Sequence, residues 1–186
     1  MDFTELVTQS QYIPRWGLPA WIAMIIASIL YFLLLVKLRP FGISKKKAFT
    51  IWFLTVYLIF IFCGAVLTRE TLDKPQMRLE LFWSYKWGIQ RSGFKLVLEI
   101  LLNILMFMPV GTLLPMIMRK PRSNRWVLFF ITMLTGLCCS CLVEILQLFL
   151  KCGLCELDDI IHNVLGITIG YGIFVFTDSR QKRIKR

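Results

Sequence analysis

The chain has 186 residues, of which 57% are hydrophobic and 18% are charged, and its mean hydropathy is +0.67. Soluble domains carry about 45–50% apolar and about 25% charged residues, so this composition excludes a soluble globular domain, a disordered chain and a coiled coil. Lysine and arginine outnumber aspartate and glutamate by 22 to 11. No basic recognition helix or base-stacking platform accompanies this excess, so nucleic acid is not expected as a partner.

Five apolar segments are long enough to cross a bilayer, since about 20 helical residues cover about 30 Å of hydrocarbon. We predict five spans, numbered in chain order, over residues 18–36, 48–67, 96–118, 126–150 and 160–176. The first 17 residues lack the basic start of a cleavable signal peptide, so the first span is expected to stay in the mature protein. The predicted fold is therefore all-α: one polytopic membrane domain, residues 1–186, built as a bundle of about five transmembrane helices.

Basic residues are distributed unequally among the connections between spans. Residues 37–47, 119–125 and 180–186 together hold fourteen lysines and arginines, and the other connections hold eight. The positive-inside rule then predicts that the N-terminus lies outside and the C-terminus lies in the cytoplasm. Only the 68–95 loop opposes this orientation, and Glu70, Asp73 and Glu80 accompany its basic residues.

The middle of the 68–95 loop, residues 77–87, interleaves aromatic and charged residues. This composition is typical of segments that lie at the headgroup boundary of a membrane. We interpret it as an interfacial helix or a re-entrant lid on the outer face, with Trp83, Tyr85 and Trp87 at the entrance of a pocket. An aromatic belt that only anchors spans two and three is an equal alternative.

Polar side chains inside spans three, four and five are predicted to lie at one depth. They are Glu99 and Asn103 in span three, Glu144 and Gln147 in span four, and Asp158, Asp159, His162 and Asn163 at the start of span five. At 1.5 Å rise per residue, those inside the hydrocarbon lie roughly 5 to 11 Å from its outer edge. Carboxylates within a span cost a few kcal/mol and usually face a bundle interior or a wet cavity. The pattern therefore predicts an outward-facing polar pocket.

The same residues can instead hydrogen-bond one another and hold three helices together. For Asn103 and Gln147 both interpretations stay open. The acidic residues favour a site, because crowded carboxylates repel unless a cation, a basic side chain or protonation offsets them. The basic candidates nearby are Arg69, Arg91, Lys95 and Lys151.

Neither the histidine nor the cysteines predict a metal or cofactor. A single His162 among carboxylates is more often a hydrogen-bond partner than a ligand or base. Cys152 and Cys155 form a CxxC pair that lacks the further ligands of a zinc site and the context of a redox site. The pair is read as a local disulfide or as two unreacted thiols, and no cofactor is expected.

Glycine and proline residues predict local features of spans three and five. Pro109, Gly111 and Pro115 are expected to interrupt span three and to free carbonyl groups that neighbours must satisfy. Gly166 and Gly170 have the GxxxG spacing that lets a second helix approach closely. These features indicate a shaped bundle with gaps.

Three blocks of the sequence, within residues 96–176, resemble the VanZ-like membrane proteins. They are residues 103–115 (NILMFMPVGTLLP), 140–147 (SCLVEILQ) and 158–171 (DDIIHNVLGITIGY), and residues 81–86 (LFWSYK) are also similar to the loop before them. The motif positions are occupied by Asn103, Pro109, Gly111, Ser140, Glu144, Gln147, Asp159, Asn163 and Gly166. The resemblance implies a bacterial plasma-membrane protein and a link to resistance against teicoplanin, a glycopeptide that carries a fatty acyl chain. It implies no known catalytic mechanism.

One position departs from the pattern of this family. Many VanZ-like proteins have an arginine shortly before the aspartate pair, and the corresponding place here is Gly153. Lys151 is a candidate for supplying the missing positive charge.

The pocket is expected to hold the head group of a membrane lipid, a lipid-linked wall precursor or a lipidated glycopeptide. Charge is assigned to Glu99, Glu144 and Asp159, and orientation to Asn103, Gln147 and Asn163, with Ser140, Asp158 and His162 completing the candidate ligand-binding set. The alternative is an intramembrane enzyme acting on a lipid-linked phosphate or glycosyl bond, with Glu144 or Asp159 as general base and His162 in support. Binding is preferred to catalysis, and a transporter is disfavoured because its site would lie at the midplane.

Overall fold

The computed structural model describes residues 17–37, 43–67, 69, 71–88, 90, 93–120 and 123–184, without the side chains of residues 87, 88 and 180–184. Within these ranges, five helices are long and apolar enough to cross a membrane: Leu18–Lys37, Lys45–Leu67, Phe94–Met118, Arg125–Phe149 and Leu157–Ser179. The prediction of an all-α polytopic bundle is confirmed.

The elements follow one another in a simple order. They are α1 (Leu18–Lys37), α2 (Lys45–Phe62) with a π-helical turn at Cys63–Leu67, β1 (Gln76–Arg78), a second π-helical turn at Ser84–Gly88, α3 (Phe94–Met118), α4 (Arg125–Phe149), β2 (Leu154–Glu156) and α5 (Leu157–Ile184). The first four spans agree with the predicted boundaries within three residues. The fifth helix is longer at both ends than the predicted 160–176, because Asp158 and Asp159 suit the first turn of a helix and the polar residues after 176 continue it beyond the apolar stretch.

Helix α5 packs mainly on α3, and glycines set the distance between them. A Cβ atom added at Gly166 would overlap the backbone carbonyl of Ile104, and one at Gly170 would overlap that of Met108. Gly111 of α3 meets the backbone of α5 in the same way. The GxxxG spacing therefore permits a close backbone approach, as small residues do between membrane helices.

Helix α3 is continuous from Phe94 to Met118 although it contains Pro109 and Pro115. The prediction that these prolines interrupt the span was wrong. Pro109 removes the helical partner of the Leu105 carbonyl. Two carbonyls near it accept bonds from hydroxyl groups: the Tyr57 hydroxyl donates to that of Met106 at 2.6 Å, and the Thr112 hydroxyl donates to that of Met108 at 3.1 Å.

Helix α1 lies at the edge of the bundle and has no buried residue. It contacts α2, where the Trp52 indole nitrogen donates to the carbonyl of Ser28 at 2.9 Å and the Trp52 ring lies 5.3 Å from that of Phe32. The remaining helices α2 to α5 enclose the main core, which includes Phe107 and Ile167.

Residues 77–87 do not form the continuous interfacial helix that was one of the predictions for this segment. Strand β1 pairs in parallel with β2, with Gln76 opposite Leu154 and Arg78 opposite Glu156. Phe82 then adopts a positive φ of 61°, which bends the backbone before the π-helical turn. The segment crosses the start of α5 and connects two loops at one end of the bundle.

Candidate functional site

Two hydrogen bonds between buried polar side chains join α5 to its neighbours. The Asn103 amide of α3 donates to Asp159 at 2.6 Å, and the Asn163 amide of α5 donates to the Ser140 hydroxyl of α4 at 2.9 Å. Asn103, Asn163 and Ser140 are each at most 1% exposed. The polar residues of three predicted spans therefore meet at one end of the bundle, which we call the acidic end.

The two polar residues near the end of α4 bind backbone groups from outside the helix. Glu144 accepts the N–H of Glu156 at 3.0 Å, and the Gln147 amide donates to the carbonyl of Ala65 at 3.0 Å. Both side chains are 2% exposed. Gln147 thus joins α4 to the turn that follows α2, while the second carboxylate oxygen of Glu144 has no hydrogen bond to the described residues.

Asp158 anchors the loop segment on the start of α5. Its two carboxylate oxygens accept the N–H groups of Phe82 at 2.6 Å and of Ser84 at 2.9 Å, and the residue is 1% exposed. Both oxygens are thereby occupied by backbone. Asp158 was predicted to bind a ligand, and its contacts indicate a structural role.

Three side chains form a row from the loop into α5. The Tyr85 hydroxyl lies 2.8 Å from His162 Nε2, and His162 Nδ1 lies 3.9 Å from an Asp159 oxygen, which exceeds a hydrogen bond. Burial and, second, the charge of Asp158 raise the pKa of Tyr85. Tyr85 is half exposed while His162 is 1% exposed, so the row runs from the surface to the interior.

Three buried polar atoms at this end have no hydrogen-bond partner among the described residues. They are Trp83 Nε1 in the loop and, on consecutive residues of α5, His162 Nδ1 and the side-chain oxygen of Asn163. A buried group left unpaired costs about 1–3 kcal/mol. Such atoms in a native structure call for a specific explanation, and a bound polar group or water supplies one.

One acidic and one basic residue outside the spans, Glu156 and Arg78, complete this region. Arg78 donates to Glu156 at 3.3 Å, and its guanidinium lies 3.8 Å from the ring centroid of Trp83. Burial and, second, the charge of Asp159 raise the pKa of Glu156 to about 7. Sequence reasoning missed Glu156, although its position two residues before the aspartate pair was a usable signal.

Arg69 places a positive charge beside position 153. It donates to the carbonyl of Cys152 at 3.3 Å, and a Cβ atom at Gly153 would overlap its guanidinium group and approach Gln147. Lys151, the other candidate for this charge, is exposed. A glycine at 153 therefore makes room for an arginine that comes from the loop after α2.

The structure leaves several predicted residues at the edge of this region. Glu99 is exposed and forms no hydrogen bond with the described residues, although it lies one turn before Asn103 on α3. The side chain of Trp87 lies outside the described residues. Cys152 and Cys155 are both free thiols, and burial raises the pKa of each. The described residues contain no group of three His, Cys, Asp or Glu side chains arranged to hold a metal ion.

A comparison with protein families matches residues 48–178 to the model described as VanZ/LLP1. No curated protein and no solved structure matches the chain. The matched range begins in α2 and ends in α5, so it contains every element that contributes to the acidic end and omits α1. Because this range is more than half of the sequence, the chain belongs to the VanZ/LLP1 family.

Proposed function

We propose that this membrane protein binds the polar head group of an amphiphile at its acidic end. The observation that carries the proposal is the pair of buried, unpartnered polar atoms on consecutive residues, His162 Nδ1 and the Asn163 side-chain oxygen. A head group that donates hydrogen bonds satisfies the Asn163 oxygen, and it can pair with His162 in either tautomer if it also carries a hydroxyl.

The charges of this region favour a head group with amine, amide or hydroxyl donors. Glu144, Glu156 and Asp159 lie close enough for their charges to interact, and Arg69 and Arg78 are the basic residues among them. Keeping carboxylates within a membrane-spanning bundle is costly unless they are paired or solvated. A ligand with a cationic or hydroxyl-rich head group offsets this cost.

The surroundings of the acidic end suit an amphiphile. Leu81, Phe82 and Tyr85 of the loop are each about half exposed, and such apolar and aromatic residues are typical of the interfacial zone of a membrane. A ligand with its head group among α3, α4 and α5 extends its apolar part along this surface. A membrane lipid, a lipid-linked wall precursor and a lipidated glycopeptide such as teicoplanin all fit this description, and the charge distribution of the loops favours an outer-face site in the bacterial plasma membrane.

The first experiment compares the wild type with Glu144→Gln. The glutamine oxygen can still accept the N–H of Glu156, so the fold is retained while the charge is lost. We expect mass spectrometry of the detergent-purified proteins to show that one amphiphile class is enriched with the wild type. In the variant this class should be depleted at least about tenfold, which corresponds to a loss of about 1.4 kcal/mol of binding free energy.

Glu80→Gln is the matched control for this experiment. Glu80 is an exposed acid of the loop, and its ion pair with Lys86 is 3.8 Å long. The substitution therefore removes one carboxylate, as Glu144→Gln does, without changing the acidic end. Identical lipid complements in all three proteins would contradict the proposal.

A cellular test asks whether binding supports glycopeptide resistance. In a host where the wild type raises teicoplanin tolerance, Glu144→Ala or Asp159→Ala is expected to abolish the phenotype at unchanged membrane level. Loss of the protein from the membrane would instead indicate that these side chains only hold the helices together.

The row of Tyr85, His162 and Asp159 favours a second candidate, an enzyme acting on a lipid-linked phosphate or glycosyl bond. A histidine placed between a carboxylate and a surface hydroxyl can transfer protons as a general base. We expect this candidate to release product from a polyprenyl phosphate or phospholipid substrate and to lose turnover in His162→Gln. Binding of such a lipid without product would exclude it for that substrate.

A further inference from the structure

A polar cavity lies at the end of the bundle opposite to the acidic end, where α2 begins and α5 approaches its end. Its volume is about 240 Å³, and its polar lining includes Lys46, Lys47, Thr50, Arg119 and Asp178. This is several times the roughly 30 Å³ that one water molecule occupies in the liquid. None of the residues assigned to the acidic end is among the described residues that line this cavity.

The cavity carries a surplus of positive charge. Among the described residues that line it, the one acid is Asp178, which is buried and forms ion pairs with Arg119 and, at 3.5 Å, with Arg125. In the part of the chain that the structure describes, neither Lys46 nor Lys47 has an acidic partner. Two lysines therefore face the cavity with their charges uncompensated.

The backbone of α2 adds to this positive potential. The helix begins at Lys45, directly after its N-cap residue Ser44, whose hydroxyl accepts the N–H of Lys47. The first N–H groups of a helix carry partial positive charge and bind anions. Ser44 itself lines the cavity, so this helix terminus opens into the same space as the two lysines.

The remaining lining is apolar. Met116 of α3 and Phe174 of α5 contribute to the cavity wall, and Phe174 is 3% exposed. The cavity lies at the end of membrane-spanning helices, beside the connections that are richest in lysine and arginine. A ligand here meets water, positive charge and hydrocarbon together.

We propose that this cavity binds the phosphate head group of an anionic phospholipid. The phosphodiester pairs with Lys46 and Lys47 at the start of α2, and the glycerol that carries the acyl chains contacts Met116 and Phe174. The proposal is independent of the function assigned to the acidic end, because the two sites lie at opposite ends of the bundle and have opposite charge.

The test measures thermal stabilisation of the full chain in neutral detergent by added phosphatidylglycerol, phosphatidylcholine or inorganic phosphate. We expect saturable stabilisation by phosphatidylglycerol alone. The double variant Lys46→Gln/Lys47→Gln should raise the apparent Kd for phosphatidylglycerol at least about tenfold, since each basic residue near an anionic surface contributes about a fivefold factor.

The matched control is Lys45→Gln/Lys120→Gln. It removes the same charge at the same end of the bundle, from two exposed lysines that do not line the cavity. Its apparent Kd should equal that of the wild type, and both double variants should have the wild-type unfolding midpoint without lipid, because all four lysines lie at the surface.

Three outcomes would overturn the proposal. An equal loss of affinity in both double variants indicates general attraction to a basic surface. Stabilisation by inorganic phosphate without a further effect of phosphatidylglycerol indicates a site for free phosphate. Equal stabilisation by phosphatidylcholine indicates that head-group charge plays no part.

Discussion

Replacing Asp158 by alanine should detach the loop from the start of α5. The carboxylate accepts two backbone N–H groups, at 2.6 Å from Phe82 and 2.9 Å from Ser84, and the residue is 1% exposed. A hydrogen bond to a charged group contributes about 1.5–3 kcal/mol. Losing both bonds therefore weakens the attachment of the loop by about 3 to 6 kcal/mol, before any cost of the unpaired N–H groups.

Hydrogen–deuterium exchange of the purified protein measures this effect directly. A free energy of about 3 kcal/mol corresponds to at least about a hundredfold faster exchange. We expect this acceleration at the amides of Phe82, Ser84 and Tyr85, while the amides of α3 and α4 keep their protection, because local opening does not require global unfolding.

Two further variants separate the anchor from other effects of charge. Asp158→Asn keeps one acceptor and should accelerate exchange less than Asp158→Ala. Glu80→Gln removes a charge from the same loop, where the ion pair with Lys86 is exposed and contributes little, and should have no effect. Unchanged exchange at residues 82–85 in Asp158→Ala would refute the assignment of Asp158 as the anchor.

Gly166→Ala should lower the unfolding midpoint in detergent by the equivalent of at least 1–3 kcal/mol, because its Cβ would overlap the carbonyl of Ile104. Gly172→Ala, where nothing lies within 4 Å of the added atom, should be neutral, and equal effects of the two would contradict the packing argument. Glu156 should make stability fall with rising pH, because burial and the charge of Asp159 raise its pKa from 4.5 to about 7. The native state therefore binds the proton of Glu156 more tightly than the unfolded state does. This contributes up to about 3 kcal/mol to the free energy of unfolding below pH 4.5, and the contribution is lost as the pH rises through 7.

Glu156→Gln provides the comparison for the pH prediction. Glutamine does not titrate, so the difference between its unfolding midpoint and that of the wild type should depend on pH between 4.5 and 7 and become constant on either side. A difference that does not change over this interval would show that Glu156 keeps an ordinary pKa.

The spans were predictable because a bilayer constrains the chain so strongly. Backbone groups in hydrocarbon must be satisfied within a helix, so hydropathy and length indicate where a span begins and ends. Spacing and depth also predicted that Asn103, Glu144 and Asn163 lie at one end of the bundle, because each has a place on a helix of known rise. Ser140 was indicated by the family resemblance alone.

The loop contributions were not predictable in the same way. Strands of three residues, such as β1 and β2, show too little alternation to be recognised. Arg69 and Glu156 reach the acidic end through backbone turns, and their partners depend on how two distant loops cross. The continuity of α3 through Pro109 was likewise not predictable, because a proline inside a helix commonly breaks or kinks it.

The glycine contact between α3 and α5 gives the acidic end one fixed boundary and one movable boundary. Where Gly166 and Gly170 face the carbonyls of Ile104 and Met108, the backbones touch over about one turn, and neither helix can slide or roll there without a steric clash. The loop on the other side is held by hydrogen bonds, by the ion pair of Arg78 with Glu156 and by the contact of the Tyr85 ring with His162, which can break and reform one at a time. For the proposed binding of a head group, we therefore expect entry by displacement of the Tyr85 side of the acidic end, while Asn103 and Asn163 keep their spacing.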